Sequence, residues 1–111
     1  MRQSHTAVIE RNVTWSGAFE TEPYEARWAQ EAIFFVRSLN VASNVSGVKA
    51  RVQISPDGMR WCDEGTVISL SGEADGVAFG KVHHFGMFLR LVGELPEGAD
   101  MTVIVYLSLK E

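Results

Sequence analysis

The sequence predicts an all-β domain, built as a two-sheet antiparallel β-sandwich of jelly-roll-like type with six to eight strands. Three observations lead to this fold class. Apolar and polar residues alternate with a period of two in several segments, which is typical of strands with one buried face. Turn-forming residues recur about every ten residues, a spacing found in sandwiches and barrels. The 3.6-residue period of an amphipathic helix is absent from all but one segment.

The clearest strands lie in the second half of the chain. Every second residue from 48 to 54 is apolar, and the segment ends at the turn sequence Ser-Pro-Asp-Gly, residues 55–58. Proline presets its own φ and glycine accepts a positive φ, so a tight turn is expected there. A second apolar stretch over residues 61–70 predicts the other arm of a hairpin. Further strands are predicted over residues 77–82, 85–92 and 101–110.

The first half of the chain is less regular. Residues 6–15 and 32–41 are predicted to be strands, with Phe34 and Phe35 on opposite faces, and residues 17–25 around Pro23 are predicted to form turns. Residues 24–36 also contain helix-favouring residues, but the β-favouring run Ile-Phe-Phe-Val favours a strand from Ala32. We therefore expect one domain over residues 1–111, with residues 1–15 as an N-terminal strand or extended arm.

The composition and net charge of the chain argue against two classes of function. The 111-residue chain has a net charge of −4 and scattered basic residues, which argues against binding to nucleic acid or to an anionic membrane. The N-terminus has no apolar signal segment, so we expect a protein made in the cytoplasm without a signal peptide.

Cysteine and histidine provide no obvious reactive site. Cys62 is the one cysteine and follows Trp61 in a predicted strand, so we expect it to be buried or half-buried. His83 and His84 are adjacent on a strand and point to opposite faces, while His5 is remote in sequence. A zinc site needs three or four converging ligands, so no metal site is predicted from these residues.

Acidic residues cluster around the hairpin and the loop that follows it. Calcium prefers several oxygen ligands from loops, but the sequence has no Asp-x-Asp-x-Asp-Gly pattern. We expect solvated turn acids, with the carboxylate of Asp57 bonded to its own turn backbone. Motifs for a nucleophile elbow or a phosphate-binding loop are missing, so we expect no catalytic residues, no cofactor and no enzyme activity. The acids concerned are Asp57, Asp63, Glu64, Glu73 and Asp75.

Residues 55–61 have the pattern Ser-x-Asp-Gly-x-x-Trp and lie between two predicted strands. This pattern resembles a hairpin of small β-sandwich structural proteins of tailed phages and prophage-like particles. The run Phe-Leu-Arg-Leu-Val at residues 88–92, a polar loop and a final apolar strand follow in the same order, so the resemblance covers about residues 32–111. It implies a decoration, head-fibre or tail-associated protein that is assembled into a virion or particle. Its implied partners are copies of itself and a capsid or tail protein.

Two sets of residues follow from this interpretation. The structural hairpin turn comprises Ser55, Pro56, Asp57, Gly58 and Trp61, with Trp61 expected to pack as core. The candidate interface residues are Trp15, Tyr24, Trp28, Ile104 and Tyr106.

The candidate interface residues come from two parts of the chain. Trp15, Tyr24 and Trp28 lie in the least regular region, while Ile104 and Tyr106 share the outer face of the last strand. An apolar outer face predicts contact with the N-terminal segment or with a neighbouring subunit. The alternative function is a carbohydrate-binding module or adhesin, because discoidin-like and other carbohydrate-binding sandwiches share the Asp-Gly-x-x-Trp hairpin.

Overall fold

The computed structural model describes residues 4–41, 47–83 and 87–111, and His84 and the start of the predicted 85–92 strand lie outside these ranges. Within them, no helix is long and apolar enough to cross a membrane. The strands are β1 (Ser4–Ser16), β2 (Ala18–Glu20), β3 (Tyr24–Glu25), β4 (Glu31–Val41), β5 (Lys49–Ser55), β6 (Cys62–Ser69), β7 (Val77–His83), β8 (Phe88–Glu94) and β9 (Asp100–Lys110).

The strands form two antiparallel sheets packed face to face. The first sheet has the order β1-β9-β4-β7, and the second has the order β2-β8-β5-β6 with β3 also paired to β8. When the two-residue β3 is set aside, the other eight strands follow the order of a jelly roll. The predicted all-β, two-sheet antiparallel sandwich is confirmed. The described residues form nine strands rather than six to eight, because the short β2 and β3 lie within the region predicted to form turns.

The core lies between the sheets and follows the predicted alternation. Alternate residues of β9 and β4 are buried on the inner face of the first sheet, and alternate residues of β5 and β8 are buried opposite them. Phe34 is fully buried while Phe35 is half-buried on the outer face, so the predicted divergence of the two rings is confirmed. The fully buried residues of β9 are Met101, Val103, Val105, Leu107 and Leu109.

A glycine allows the two sheets to approach along the β6–β7 side. A Cβ placed on Gly80 of β7 would lie 2.6 Å from Cγ1 of Ile68 in β6. The hydroxyl of Thr66 donates a hydrogen bond of 3.2 Å to the carbonyl oxygen of Lys81, so β6 is linked to β7 beside the glycine. This side of the sandwich is therefore closed by direct contact between edge strands.

Cys62 departs from its predicted burial. The strand β6 contains an irregularity, since Val67 pairs with Arg51 and Asp63 pairs with Gln53, which leaves residues 64–66 opposite a single residue of β5. Cys62 begins this edge strand, and its side chain is exposed. The expectation of a buried or half-buried thiol was wrong because the strand starts beyond the region that the opposite sheet covers.

Candidate interaction surface

The predicted hairpin turn is held by its own side chains. The Ser55 hydroxyl accepts hydrogen bonds from the amides of Asp57 (3.2 Å) and Gly58 (2.8 Å). Oδ1 of Asp57 accepts from the amides of Met59 and Arg60, each at 2.9 Å. The amides of Arg60 and Met59 lower the pKa of Asp57 to about 2, because they stabilise the ionised carboxylate. Asp57 therefore serves its own turn, as the sequence predicts.

Trp61 lies on the outer face of the second sheet instead of in the core. It is half-buried, and the guanidinium carbon of Arg90 lies 4.2 Å from the centroid of its indole ring. Arg90 also donates to Oε1 of Gln53 at 2.9 and 2.7 Å and to Oε2 of Glu20 at 2.9 Å. The expectation that Trp61 packs as core was wrong, because the ring packs beneath an outward-pointing arginine on β8.

The same outer face continues as a connected polar surface. Asp63 accepts hydrogen bonds of 2.9 Å from Arg51 and of 2.9 Å from Gln53. A shallow groove of about 400 Å³ lies among β2, β5 and β8, and its lining includes Lys49, Arg51 and Glu94. Many of the charged side chains on this face therefore bond to one another, and their remaining hydrogen-bonding capacity is available to water or to a polar ligand.

The outer face of the first sheet is different, because an apolar row crosses all four strands. The pairing registers place Val8 of β1 beside Tyr106 of β9, Tyr106 beside Phe35 of β4, and Phe35 beside Phe79 of β7. The Phe35 and Phe79 ring centroids are 6.2 Å apart with an interplanar angle of 37°. Phe79 is 58% exposed and Val8 is 40% exposed. Large apolar side chains thus meet solvent along a continuous line.

Further apolar residues flank this row on both sides. Ile33 lies on one side, while Ile104 and the 57%-exposed Val77 lie on the other. Contiguous apolar patches on a soluble domain usually mark sites of interaction. We call this set the aromatic face; it consists of Val8, Ile33, Phe35, Val77, Phe79, Ile104 and Tyr106.

Polar and charged residues lie at both ends of the aromatic face. At one end a pocket of about 240 Å³ is lined by residues that include Glu31, Lys81 and Lys110. On the other side of the central row, Arg37 lies between Ile104 and Val77 and forms a 3.1 Å ion pair with Asp75. Asp75, followed by Tyr106, raises the pKa of Arg37, so its charge is retained over any physiological pH. The arrangement is an apolar centre between charged ends.

The structure places the predicted interface residues in different environments. Ile104 and Tyr106 lie together on the aromatic face, as their shared strand face predicts. From Ser4 to Ser16 the N-terminal segment lies beside that face and not over it, because β1 pairs edge to edge with β9 and adds Val8 to the row. Trp28 is 40% exposed in the turn before β4.

Trp15 and Tyr24 are not free surface residues. Trp15 is only 3% exposed and stacks on Phe19, with ring centroids 4.0 Å apart and an interplanar angle of 10°. Tyr24 is half-buried against the core, and β3 pairs it with Leu89. Trp15 is therefore corrected from candidate interface to core: two residues later Gly17, with a φ of 60°, leads the chain from β1 into β2 of the second sheet, which brings Phe19 against the indole ring.

Five members of the aromatic face were not predicted from the sequence: Val8, Ile33, Phe35, Val77 and Phe79. The signal was present in the alternation, since residues 33 and 35 and residues 77 and 79 are apolar at every second position. The sequence does not show the order of the strands in the sheet, and only that order shows that these residues lie around Tyr106 on one face.

The acids considered for calcium do not converge. Among residues 4–41, 47–83 and 87–111, no group of three His, Cys, Asp or Glu side chains could hold a metal ion. Glu64 accepts a hydrogen bond of 3.0 Å from the amide of Thr66, while Asp57, Asp63 and Asp75 bond to groups already described. These carboxylates therefore have structural roles in turns and between strands.

The fold and its surfaces define the class: a jelly-roll sandwich with one polar and one apolar outer face. The solved structures similar to it include those of YomS and XepA. The SPBc2 prophage-derived protein YomS matches with a TM-score of 0.66 and 8% sequence identity, covering 100% of this chain and 96% of YomS. The PBSX exported protein XepA matches with a TM-score of 0.67 and 9% identity, covering 95% of this chain and 36% of XepA.

The similarity to YomS and XepA is one of fold, given the low identities. No protein-family model matches the chain, and no curated protein sequence does so. The structural neighbours are thus β proteins derived from prophages, in agreement with the coarser part of the resemblance seen in the sequence.

Proposed function

We propose that this chain is a non-enzymatic structural component of a phage or phage-derived particle, and that it acts through contacts between protein subunits. The observation that carries the proposal is the aromatic face. Its most exposed member, Phe79, is 58% exposed, although burial of such a side chain would contribute about 1.5–3 kcal/mol. A neighbouring protein surface that covers the face would recover this free energy.

The contrast between the two outer faces supports an assembly role. One face carries charged side chains that bond to one another, which suits contact with solvent. The other carries a row of large apolar side chains from all four strands of its sheet. A subunit with this asymmetry has one side suited to a partner and one side suited to the particle surface.

The finer role rests on the phage-like hairpin and on the two prophage-derived neighbours. We assign the chain to the decoration, head-fibre or tail-associated proteins, with copies of itself and a capsid or tail protein as partners. The net charge of −4 supports protein partners over nucleic acid or an anionic membrane.

The test is the composition of particles made by the organism that encodes the chain. Particles are induced, purified on a density gradient and analysed by quantitative mass spectrometry. We expect the chain to be in the particle fraction at a fixed ratio to the major capsid or tail protein. If the chain is expressed but is missing from purified particles, a particle role is refuted.

Carbohydrate binding is the second candidate, favoured by the exposed indole of Trp28 and by the polar groove on the second sheet. Aromatic rings and planar polar side chains are common in sugar sites, but Trp61 is covered on one side by Arg90. A glycan array would test the idea with Trp28→Ala and Arg51→Ala. Binding lost in either variant supports it, and absence of binding by the native chain contradicts it.

A further inference from the structure

We infer that the aromatic face pairs with the same face of a second copy of this chain, about a two-fold axis that runs parallel to the strands of its sheet. The inference deepens the proposed function by naming the partner of this surface, and it depends on that function only for its biological setting. It is supported by the geometry of the sheet edges, by the contrast between the two outer faces, by the charges of Glu31 and Lys110 beside the face, and by the area of the face.

Pairing through sheet edges is less favourable than pairing through the face. The edge strand β1 has register shifts between Val8 and Glu10 and between Glu10 and Val13, and Asn12 has a φ of 54°. Such bulges interrupt the regular row of backbone groups that a new strand would need. At the other edge, the carbonyl oxygen of Lys81 already accepts a bond from Thr66.

The second sheet offers a poorer surface for self-pairing. Its outer face contains Arg51, Asp63 and Arg90 in ion pairs and hydrogen bonds. Covering these groups would remove them from water, a cost that apolar side chains do not carry. On the aromatic face, Arg37 lies between Ile104 and Val77 and is already paired with Asp75, whereas the row from Val8 to Phe79 contains no charged side chain and can be covered without that cost.

The end charges select the orientation of the two copies. An axis parallel to the strands and midway between β9 and β4 places β9 over the partner's β4. Because Lys110 and Glu31 lie beside each other in the pairing register, this rotation puts Lys110 of each copy over Glu31 of the other, where the charges are complementary. An axis parallel to the row would instead place β9 over the partner's β9, so that Lys110 would not meet Glu31.

The area suits a weak but specific contact. Four strands at about 4.8 Å span roughly 19 Å, and the four rows from Glu31 to Arg37 at about 6.7 Å span roughly 27 Å, so each copy would bury on the order of 500 Å². The pair would bury about 1,000 Å² in total, which is at the lower limit for a specific interface. We therefore expect a monomer–dimer equilibrium in dilute solution, with the particle adding further contacts.

The experiment is sedimentation velocity on the full chain over a wide range of concentration, with two matched variants. Val77→Lys places a charge on the aromatic face, and Val67→Lys places the same charge on the outer face of the second sheet. The residue type, the exposure (57% and 49%) and the edge-strand location are matched. Circular dichroism and urea unfolding check that both variants fold.

The native chain and Val67→Lys should move from 12.3 kDa towards twice that mass as concentration rises. Val77→Lys should need at least tenfold more protein to reach the same dimer fraction. A native chain that stays monomeric throughout overturns the inference, as does equal dimerisation of the two variants. Because the particle assay is independent, a monomer found in particles refutes self-pairing and leaves the proposed function standing.

Discussion

The neighbouring rings of Phe34 and Phe35 provide a sharp test of which way the first sheet faces. Phe34 is fully buried, and replacing a buried phenylalanine by alanine costs about 3–5 kcal/mol. Phe35 is half-buried on the outer face, where its ring pair with Phe79 is worth about 0.5–1.5 kcal/mol. The losses in the free energy of unfolding caused by Phe34→Ala and Phe35→Ala should therefore differ by about 3 kcal/mol.

The assay is urea unfolding followed by circular dichroism at low protein concentration, so that self-association does not add to stability. With a urea dependence of about 1.5–2 kcal/mol per molar, Phe34→Ala should lower the midpoint by about 2 M. Phe35→Ala should lower it by less than about 1 M. Equal destabilisation by the two variants would refute the assigned orientation of β4 and, with it, the aromatic face.

Three further predictions test other parts of the fold. Gly80→Ala should destabilise the domain by about 1–3 kcal/mol in urea unfolding, since its Cβ would collide with Ile68; an unchanged midpoint would contradict the close approach of β6 and β7. Asp57 has its pKa lowered from 3.8 to about 2, so its contribution to stability is complete above 3.8 and is lost as the pH falls through about 2. Asp57→Asn should therefore be less stable than the native chain at neutral pH, with the difference shrinking towards pH 2, and a difference that grows on acidification would refute this assignment. Cys62 should react in the native state with a thiol reagent at a rate close to that of the unfolded chain, and strong protection would contradict its exposure.

The fold could be predicted well where one face of a strand is buried. The alternation over residues 101–110 identified both the strand and its inner face, since a period of two leaves little choice of register. The strands within residues 17–25 were harder to predict. The strands β2 and β3 are three and two residues long, too short to show a period, and they are held in part by pairing with β8.

The candidate surface was predicted only in part, for a related reason. Ile104 and Tyr106 could be recognised as outward-facing within one strand, but the aromatic face depends on contacts among four strands. Trp15 and Trp61 were misplaced because an aromatic residue near a turn can face inward or outward. Trp15 is buried in the core, where it stacks on Phe19, whereas Trp61 lies on the outer face and contacts Arg90.

The most direct test of the central claim is an isotope-filtered NOE experiment on a mixture of labelled and unlabelled chain. With the two-fold axis parallel to the strands, the ring of Tyr106 should contact Phe35 of the other copy, and the ring of Phe79 should contact its Val8. Trp61, on the opposite outer face, should show none and serves as the internal control. Intermolecular contacts at the three rings would support the proposed pairing. Contacts confined to Trp61 and its neighbours, or none at concentrations where sedimentation shows a dimer, would contradict it.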